Sequence, residues 1–298
     1  MTTALRAILT CLAIVCLPFV SAGAQETRIL RMPDIHGEAV VFAHGGDLWI
    51  GDVTAPDGSR PLRLTAGAGA ARHPHFSPDG AWVAYSAEHD GNTDVYVVPA
   101  GGGQPQRLTW HPGDDVVRGW TPDGSAVLFA SPRELSYQRG GRLYAVATEG
   151  GLPRPLAMPL AWDGAYAPDG ARIAYQAFPA ASAPPAAWDG YRGGTMPAIR
   201  LFDLTARTDM RIPGGGGSNL HPLWLADAVY FLSDRDGGWA IWRHDPDSGE
   251  TERVTAPDPA GIDWLAGHDG RLVFSRDGWL HLLTVASGET RRLSFSLE

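Results

Sequence analysis

The chain has 298 residues, of which 44% are hydrophobic and 19% charged, with 37 glycines, 24 prolines and a formal net charge of -9. This length and apolar content support a sizeable core, and the many turn-forming residues favour short strands over helices. A net acidic surface disfavours binding to nucleic acids and to anionic membranes.

The first 24 residues have the pattern of a secretory signal peptide. Arg6 precedes an apolar run over residues 7–20, and Ala22-Gly23-Ala24 has the small-x-small form of a signal-peptidase site. The run is short for a bilayer span, so a retained anchor is the less favoured interpretation. Because both cysteines, Cys11 and Cys16, lie in this segment, the mature chain would hold no disulfide and no thiolate site. We therefore predict a periplasmic or secreted protein.

Residues 25–298 are predicted to form repeated units of four short strands. The clearest unit runs from His73 to Thr109, with a Pro78-Asp79-Gly80 turn, two apolar runs and a closing Arg107-Leu108-Thr109. The apolar runs are β-branched and aromatic, which suits strands, and they are too short for helices. In chain order, the six units are expected at residues 34–65, 73–109, 119–156, 166–212, 225–255 and 268–294.

The period of the repeat predicts the architecture. The markers are the turn aspartates of units two to six, Asp79, Asp123, Asp169, Asp227 and Asp269, at spacings of 44, 46, 58 and 42 residues. Periods near 40 to 50 with four strands each are typical of propeller blades. The predicted fold class is therefore all-β, a single six-bladed β-propeller of four-stranded antiparallel blades, with residues 28–32 helping to close the ring.

The longest spacing comes from an insertion in the fourth unit, at residues 177–197. Its first half is rich in alanine, proline and serine and is predicted to be a loop, whereas its second half carries Trp188, Tyr191 and Arg192 among glycines. Loops on a rigid scaffold often carry function. Two interpretations stay open: a binding loop, or a structural clasp folded against its own blade.

Patterns for catalysis and metal binding are weak. There is no G-x-S-x-G or H-E-x-x-H motif, and Ser218 lies in a glycine run without an identifiable base. His73 and His75 have the spacing that places two imidazoles on one face of a strand, but Pro74 and the lack of a third ligand favour a capping or surface role over a metal site. Glu88-His89-Asp90 is interpreted as a turn between strands. We predict no catalytic residue, no metal and no cofactor.

Four stretches resemble the N-terminal six-bladed propeller of the tricorn protease family and occur in the same order. They are Pro33-Asp34-Ile35-His36-Gly37, Asp47-Leu48-Trp49, Trp188-Asp189-Gly190-Tyr191-Arg192-Gly193-Gly194-Thr195 and Phe231-Leu232-Ser233-Asp234-Arg235-Asp236-Gly237. The Pro-Asp-Gly turns alone resemble a wider set, the propellers of the TolB and prolyl-oligopeptidase type. The resemblance to the tricorn family covers nearly all of the chain after the predicted signal.

The resemblance implies that this propeller belongs to a larger assembly. In that family a seven-bladed propeller, a PDZ-like domain and a serine-peptidase domain follow, and the whole forms a homo-oligomer that trims peptides. The catalytic serine and histidine would lie in those later domains, so none is carried over to this chain. The sequence ends at Glu298 directly after a predicted strand, as a fragment would, although a natural one-propeller protein is the alternative. The predicted export signal differs from the best-known members, which are intracellular.

The predicted function is that of a non-catalytic propeller of an exported tricorn-like serine peptidase, which gates or docks peptides for a peptidase domain absent from this sequence. The candidate peptide-binding residues are Arg118, Tyr191 and Arg192, because a guanidinium can bind a peptide's terminal carboxylate. The expected partners are peptides, the peptidase and second-propeller domains, and copies of the chain in a homo-oligomer, without nucleic acid or, after signal removal, membrane. The alternative is a stand-alone periplasmic propeller of the TolB type that binds a protein partner. A propeller enzyme with a metal in its channel is the least favoured interpretation.

Overall fold

A computed structural model describes residues 26–67, 69–89, 91–135, 140–177, 185–213, 215–258 and 261–297. These residues form a six-bladed β-propeller, as predicted, in which every blade is a sheet of four strands consecutive in sequence. All neighbouring strands within a blade are antiparallel. The predicted signal peptide, residues 1–24, lies outside the described residues.

The strands of the first three blades are short and regularly spaced. Blade one contains β1 (Arg31–His36), β2 (Ala39–His44), β3 (Asp47–Asp52) and β4 (Leu62–Arg63). Blade two contains β5 (Ala71–Phe76), β6 (Trp82–His89), β7 (Asn92–Pro99) and β8 (Gln106–Arg107). Blade three contains β9 (Val116–Trp120), β10 (Ala126–Ser131), β11 (Arg142–Ala147) and β12 (Arg154–Pro155).

The last three blades repeat the pattern, with one insertion. Blade four contains β13 (Asp163–Tyr166), β14 (Arg172–Gln176), β15 (Ile199–Asp203) and β16 (Asp209–Arg211), and a short 3-10 helix (Pro185–Trp188) lies between β14 and β15. Blade five contains β17 (Asn219–Leu225), β18 (Ala228–Ser233), β19 (Ala240–His244) and β20 (Thr251–Arg253). Blade six contains β21 (Trp264–His268), β22 (Arg271–Arg276), β23 (Trp279–Thr284) and β24 (Glu289–Leu293). Among the described residues no helix is long and apolar enough to cross a membrane.

The Pro-Asp-Gly turns form because the aspartate binds its own turn. In blade two, Asp79 Oδ1 accepts hydrogen bonds from the Ser77 hydroxyl at 2.6 Å and from the Ala81 amide at 3.0 Å. Gly80 has a φ of 71°, a conformation that favours glycine because a Cβ atom would be strained there. This local chemistry explains why the turn repeats so clearly in the sequence.

The hydrophobic core consists of six clusters, each formed largely between two neighbouring blades. Between blades one and two, for example, Val41 and Leu48 pack with Val83 and Tyr85. Each strand face therefore becomes buried only when the next blade is present. This dependence explains why a single four-stranded unit cannot be stable on its own and why the sequence repeats it.

The ring closes without exchanging a strand between its first and last blades. Residues 27–30 lie against blade six, where the Gly278 carbonyl accepts hydrogen bonds from the amides of Ile29 at 2.8 Å and Leu30 at 3.1 Å. The C-terminal segment returns to blade one, where Phe295 forms a parallel bridge with Ser59. The Thr27 amide donates to the Phe295 carbonyl at 2.8 Å. The predicted closing segment, residues 28–32, thus divides at Arg31, which begins the first strand of blade one.

Candidate functional site

The first strands of the six blades surround the centre of the ring, each in contact with its neighbours. Three of them carry a bulge at a residue that is followed by proline. These residues are Met32, His73 and His221, and their φ values are 50°, 53° and 54°. Proline is tolerated because these are the inner edge strands and its missing N–H removes no ladder hydrogen bond there. Bulges redirect neighbouring side chains, and here they lie next to the central channel.

A cavity of about 190 Å³ lies between these first strands. Each of the six blades contributes at least one polar or aromatic side chain to its wall, among them, in chain order, Asp34, His75, Arg118, Asp163, His221 and Trp264. Two acidic groups, one guanidinium and two imidazoles therefore meet in a small space. Buried ionisable groups concentrated in a cleft mark a candidate functional site.

Arg118 is the central charge of this cavity. Its side chain is 1% exposed, and its Nε and Nη1 atoms have no hydrogen-bond partner among the described residues. The nearest carboxylate oxygen, Oδ1 of Asp163, lies 3.7 Å from Nε, which is an ion pair without a hydrogen bond. Burial lowers the pKa of Arg118, and Asp163 opposes that shift. The guanidinium is thus held in the wall with hydrogen-bonding capacity to spare.

His221 lies beside the same carboxylate and against an indole ring. Its Nδ1 is 3.7 Å from Oδ2 of Asp163, and its ring centroid is 4.7 Å from that of Trp264. Burial lowers the pKa of His221 to about 4. The charge of Asp163 opposes this shift, whereas the charge of Arg118 adds to it. The His221 imidazole is therefore neutral at pH 7 and offers one donor and one acceptor.

Asp34 and His75 form the opposite part of the wall. Oδ2 of Asp34 accepts a hydrogen bond from the Phe76 amide at 2.7 Å and lies 3.9 Å from Nδ1 of His75. Burial raises the pKa of Asp34 to about 7 and lowers that of His75 to about 3. Near neutral pH, Asp34 is therefore poised between its protonated and ionised forms while His75 is neutral.

We expect Asp34 to make the protein less stable as the pH rises from about 4 to about 7. Its pKa is near 7 in the folded protein and about 3.9 in an unfolded chain, so the folded state binds the additional proton over this range. This contribution is complete at low pH and is lost as the pH passes 7. His75 and His221 act in the opposite sense, because their low folded pKa values cost stability as the pH falls below about 6.5.

The Asp34→Asn variant isolates the contribution of Asp34. Its amide oxygen can still accept from Phe76, and it cannot ionise. The difference in the free energy of unfolding, variant minus wild type, should increase by roughly 4 kcal/mol between about pH 4 and pH 8. This is the value that corresponds to the rise in the pKa of Asp34 from 3.8 to about 7. Urea unfolding at a series of pH values measures this difference, and a difference independent of pH would contradict the assignment.

The long insertion of blade four reaches the same face of the ring. It leaves β14 directly after Gln176, whose side chain donates to the Asn219 carbonyl at 2.6 Å and accepts from the His221 amide at 3.3 Å. Asp163, at the start of the neighbouring strand, pairs with Gln176 in the sheet register. The insertion therefore begins beside the end of the channel at which Asp163 and His221 lie. We call its described part, residues 185–197, the rim segment.

The rim segment is tied down by one buried carboxylate. Asp234, whose side chain is 1% exposed, accepts hydrogen bonds from Arg192 Nη1 at 2.8 Å and from the Gly190 amide at 3.1 Å. Its other oxygen accepts from the Ser218 amide at 2.7 Å, just before β17. The segment is thus held in place as a clasp would be, but against the neighbouring blade five and not against its own blade four.

The three candidate peptide-binding residues lie in two places. Arg118 faces the channel cavity, whereas Tyr191 and Arg192 lie together on the rim segment and do not line it. The Tyr191 hydroxyl is 2.7 Å from that of Thr195, its ring packs edge-on against Trp188 at 5.6 Å, and 38% of the residue is exposed. Tyr191 is therefore open to solvent at the rim, whereas the charge of Arg192 is paired.

Other sequence candidates have structural surroundings. His73 and His75 both lie near Trp264, at centroid distances of 5.5 and 6.4 Å. Within the described residues no group of three histidine, cysteine or acidic side chains has the geometry to hold a metal ion. Ser218 is fully buried, and its hydroxyl has no hydrogen-bond partner among the described residues. It therefore lacks the base that a nucleophile requires.

The sequence analysis missed Asp34, Asp163, His221 and Trp264 as parts of one site. They come from four blades and lie far apart in the chain, so no local spacing connects them. The available signal was the X-Pro pair at equivalent blade positions, in Met32-Pro33, His73-Pro74 and His221-Pro222. Combined with the repeat, that signal could have indicated which strands turn side chains towards the channel.

Comparison with known proteins finds similarity to the N-terminal propeller of tricorn proteases over most of the chain. The sequence profile of the family described as "Tricorn protease N-terminal beta propeller domain" matches residues 27–289. Tricorn protease homolog 1 of Streptomyces coelicolor is 32% identical over 275 residues, covering 90% of this chain and 25% of that protein. A putative tricorn-like protease N-terminal subunit of Sulfurisphaera tokodaii is 29% identical over 170 residues, covering 55% of this chain and 80% of that protein.

The same likeness holds in three dimensions. The crystal structure of the tricorn protease superposes with a TM-score of 0.77 at 23% identity, over 89% of this chain and 26% of that one. At this identity the superposition shows the shared fold alone. The chain spans about a quarter of the length of the tricorn protease homologue from Streptomyces coelicolor.

Proposed function

The chain belongs to the family of tricorn protease N-terminal beta-propellers, and from that premise we propose that it is a non-catalytic domain that docks or gates peptides for a serine peptidase. The peptidase domain and second propeller would be supplied outside the sequence described here. The Sulfurisphaera tokodaii relative, which is called an N-terminal subunit, supports a propeller that works with a separate chain. Export through the predicted signal at residues 1–24 and association into a homo-oligomer are parts of the same proposal.

The observation that carries the proposal is the unsatisfied guanidinium of Arg118 in the channel wall. Its Nε and Nη1 donate no hydrogen bond to any described residue, and Oδ1 of Asp163 lies 3.7 Å from Nε. A carboxylate that reached this position would accept a charge-assisted hydrogen bond from the guanidinium, and such bonds are the strong ones in proteins. The terminal carboxylate of an extended peptide is narrow enough to enter a propeller channel, whereas a folded protein is not.

The rim segment has a second, weaker part in the proposal. Tyr191 is open to solvent on the rim segment and can pack against the body of a peptide. Arg192 has its charge paired with Asp234, so we assign it the role of holding the segment in place. The three residues thus have different roles. Arg118 binds the terminal carboxylate, Tyr191 contacts the peptide chain, and Arg192 holds the segment that carries Tyr191.

Calorimetry with tetra-alanine tests the proposal on the full chain. Binding of the peptide with a free C-terminal carboxylate should weaken by about tenfold or more in Arg118→Gln, since a charge-assisted hydrogen bond is worth roughly 1.5–3 kcal/mol. The C-terminal amide should bind weakly to both proteins, and the peptide should be recovered uncleaved. The matched control is Arg72→Gln, which removes an exposed arginine from β5.

Two results would contradict this assignment. Equal affinity of the wild type and Arg118→Gln for the free-acid peptide would remove Arg118 from the site. Failure of the wild type to bind either peptide would instead favour the alternative, a propeller that docks a folded protein partner on one face.

A further inference from the structure

We propose that the channel cavity at Arg118 is a binding site for a small zwitterion of the free α-amino acid class, with its carboxylate at Arg118 and its ammonium group at Asp34. Both side chains line the same cavity. This inference goes beyond peptide docking and holds whether or not peptides dock. It concerns a different ligand, in which opposite charges are separated by a single carbon atom.

The first step of the inference is the hydrogen-bonding capacity of Arg118. Its side chain is 99% buried, with Nε and Nη1 unpartnered among the described residues. Leaving a buried donor unsatisfied is costly, and leaving a buried charge unsatisfied is more so. Asp163 is too far from Nε for a hydrogen bond, and its Oδ1 already accepts from the Gly164 amide at 2.9 Å. The site therefore favours a ligand that brings its own carboxylate.

The second step is the charge balance of the cavity. Arg118 is positive and is faced by Asp163, while the imidazoles of His73, His75 and His221 are kept neutral by burial and by the charge of Arg118. A ligand with only a carboxylate would add a negative charge to a buried space that already holds two acidic groups. A ligand with only an ammonium group would leave the donors of Arg118 unsatisfied. A zwitterion adds no net charge and meets both needs.

The third step is the position of the second acidic group. Asp34 lies on β1 and Arg118 on β9, the first strands of blades one and three. The first strand of the blade between them is β5, which carries His75. Its Oδ2 is engaged by the Phe76 amide at 2.7 Å, and the nearest basic group is His75, 3.9 Å away and neutral at pH 7. No arginine pairs with Asp34 among the described residues. It is therefore the acidic group of the cavity that can accept an ammonium group without competition.

The fourth step is size. A cavity of about 190 Å³ is large enough for a molecule of the size of glycine or alanine. The walls between the charged groups are the indoles of Trp120 and Trp264. The Trp120 indole N–H is committed to the His75 carbonyl at 2.9 Å, whereas the Trp264 indole N–H has no hydrogen-bond partner among the described residues.

Titration of the full chain with four probes tests the inference. Calorimetry near pH 7 would compare glycine and alanine, which carry both charges, with acetate and ethylamine, which carry one each. We expect glycine and alanine to bind, and acetate and ethylamine to bind at least about tenfold more weakly, since each loses one charge-assisted contact. Because the pKa of Asp34 is near 7, binding of the ammonium group below this pH should release a proton, seen as an enthalpy that depends on the buffer.

Variants then assign the two ends of the ligand. Arg118→Gln and Asp34→Asn should each weaken glycine binding by about tenfold or more, and Arg118→Lys should retain part of it. Arg72→Gln, the exposed arginine on β5, should bind glycine as the wild type does. Far-ultraviolet circular dichroism verifies that each variant is folded. The four-probe comparison needs only the wild type, so it decides the question even if a variant fails to fold.

The outcomes separate this inference from the proposed function. Acetate binding as tightly as glycine would overturn the inference and indicate a simple anion pocket. Absence of glycine binding at millimolar concentration would also overturn it, and tetra-alanine bound under the same conditions would leave the proposed function intact. Glycine binding in the absence of tetra-alanine binding would support the inference and count against peptide docking.

Discussion

We expect Phe295→Ala to lower the free energy of unfolding by about 3–5 kcal/mol, because truncating a buried phenylalanine removes its apolar surface and leaves a cavity. Phe295 is 2% exposed and stacks on Phe42 at a centroid distance of 5.2 Å. It also packs so closely on blade one that a Cβ atom added at Gly51 would lie 2.6 Å from its ring. The same residue supplies the backbone groups that join the chain ends, so the loss falls on the junction that closes the ring.

Urea unfolding monitored by tryptophan fluorescence measures this effect. Leu152→Ala is the control, because Leu152 is 92% exposed and its truncation should change stability by no more than about 0.5 kcal/mol. A change below about 1 kcal/mol in Phe295→Ala would show that the C-terminal segment contributes little to closure.

The second large effect is expected at Asp234→Ala, which should cost about 1.5–3 kcal/mol, the value of hydrogen bonds to a buried charged group, since the Arg192 side chain is itself 43% exposed. The substitution leaves the amides of Gly190 and Ser218 without their acceptor and releases Arg192. Because these contacts anchor the rim segment to blade five, we also expect faster proteolysis within residues 185–197.

Limited proteolysis with mass spectrometry, together with urea unfolding, measures both consequences. Asp189→Ala is the matched control, since it removes an exposed carboxylate from the same segment. If Asp234→Ala behaved like this control, the clasp interpretation would be wrong, and the segment would be held by other contacts.

The sequence predicted the blades well because each blade is specified locally. The aspartates of the Pro-Asp-Gly turns in blades two, three and four accept hydrogen bonds from their own neighbours, as Asp79 does from Ser77 and Ala81, so the signal is local in sequence. The period of the repeat then determines the number of blades. The resemblance to the tricorn family likewise depended on short contiguous stretches of sequence, and the family profile confirms it over residues 27–289.

The site could not be predicted in the same way, because it depends on the closed ring. Arg118, Asp163 and His221 belong to three blades and meet only after closure, at separations set by the bulges of the inner strands. The choice of Arg118 from sequence rested on its place near the start of a blade, and its burial and unsatisfied donors appear only in three dimensions. Similarly, the pairing of Arg192 with Asp234 joins residues 42 positions apart, and nothing in either motif specifies it.

Photo-cross-linking tests the central claim, that peptides dock at the channel and rim of this propeller, most directly. A tetrapeptide with a benzophenone side chain and a free C-terminal carboxylate would be irradiated with the full chain, and the modified residues mapped by mass spectrometry. We expect cross-links in the first strands β5, β9, β17 and β21 and in the rim segment, reduced by unlabelled peptide and by Arg118→Gln. Cross-links confined to the outer strands, or unaffected by Arg118→Gln, would contradict it.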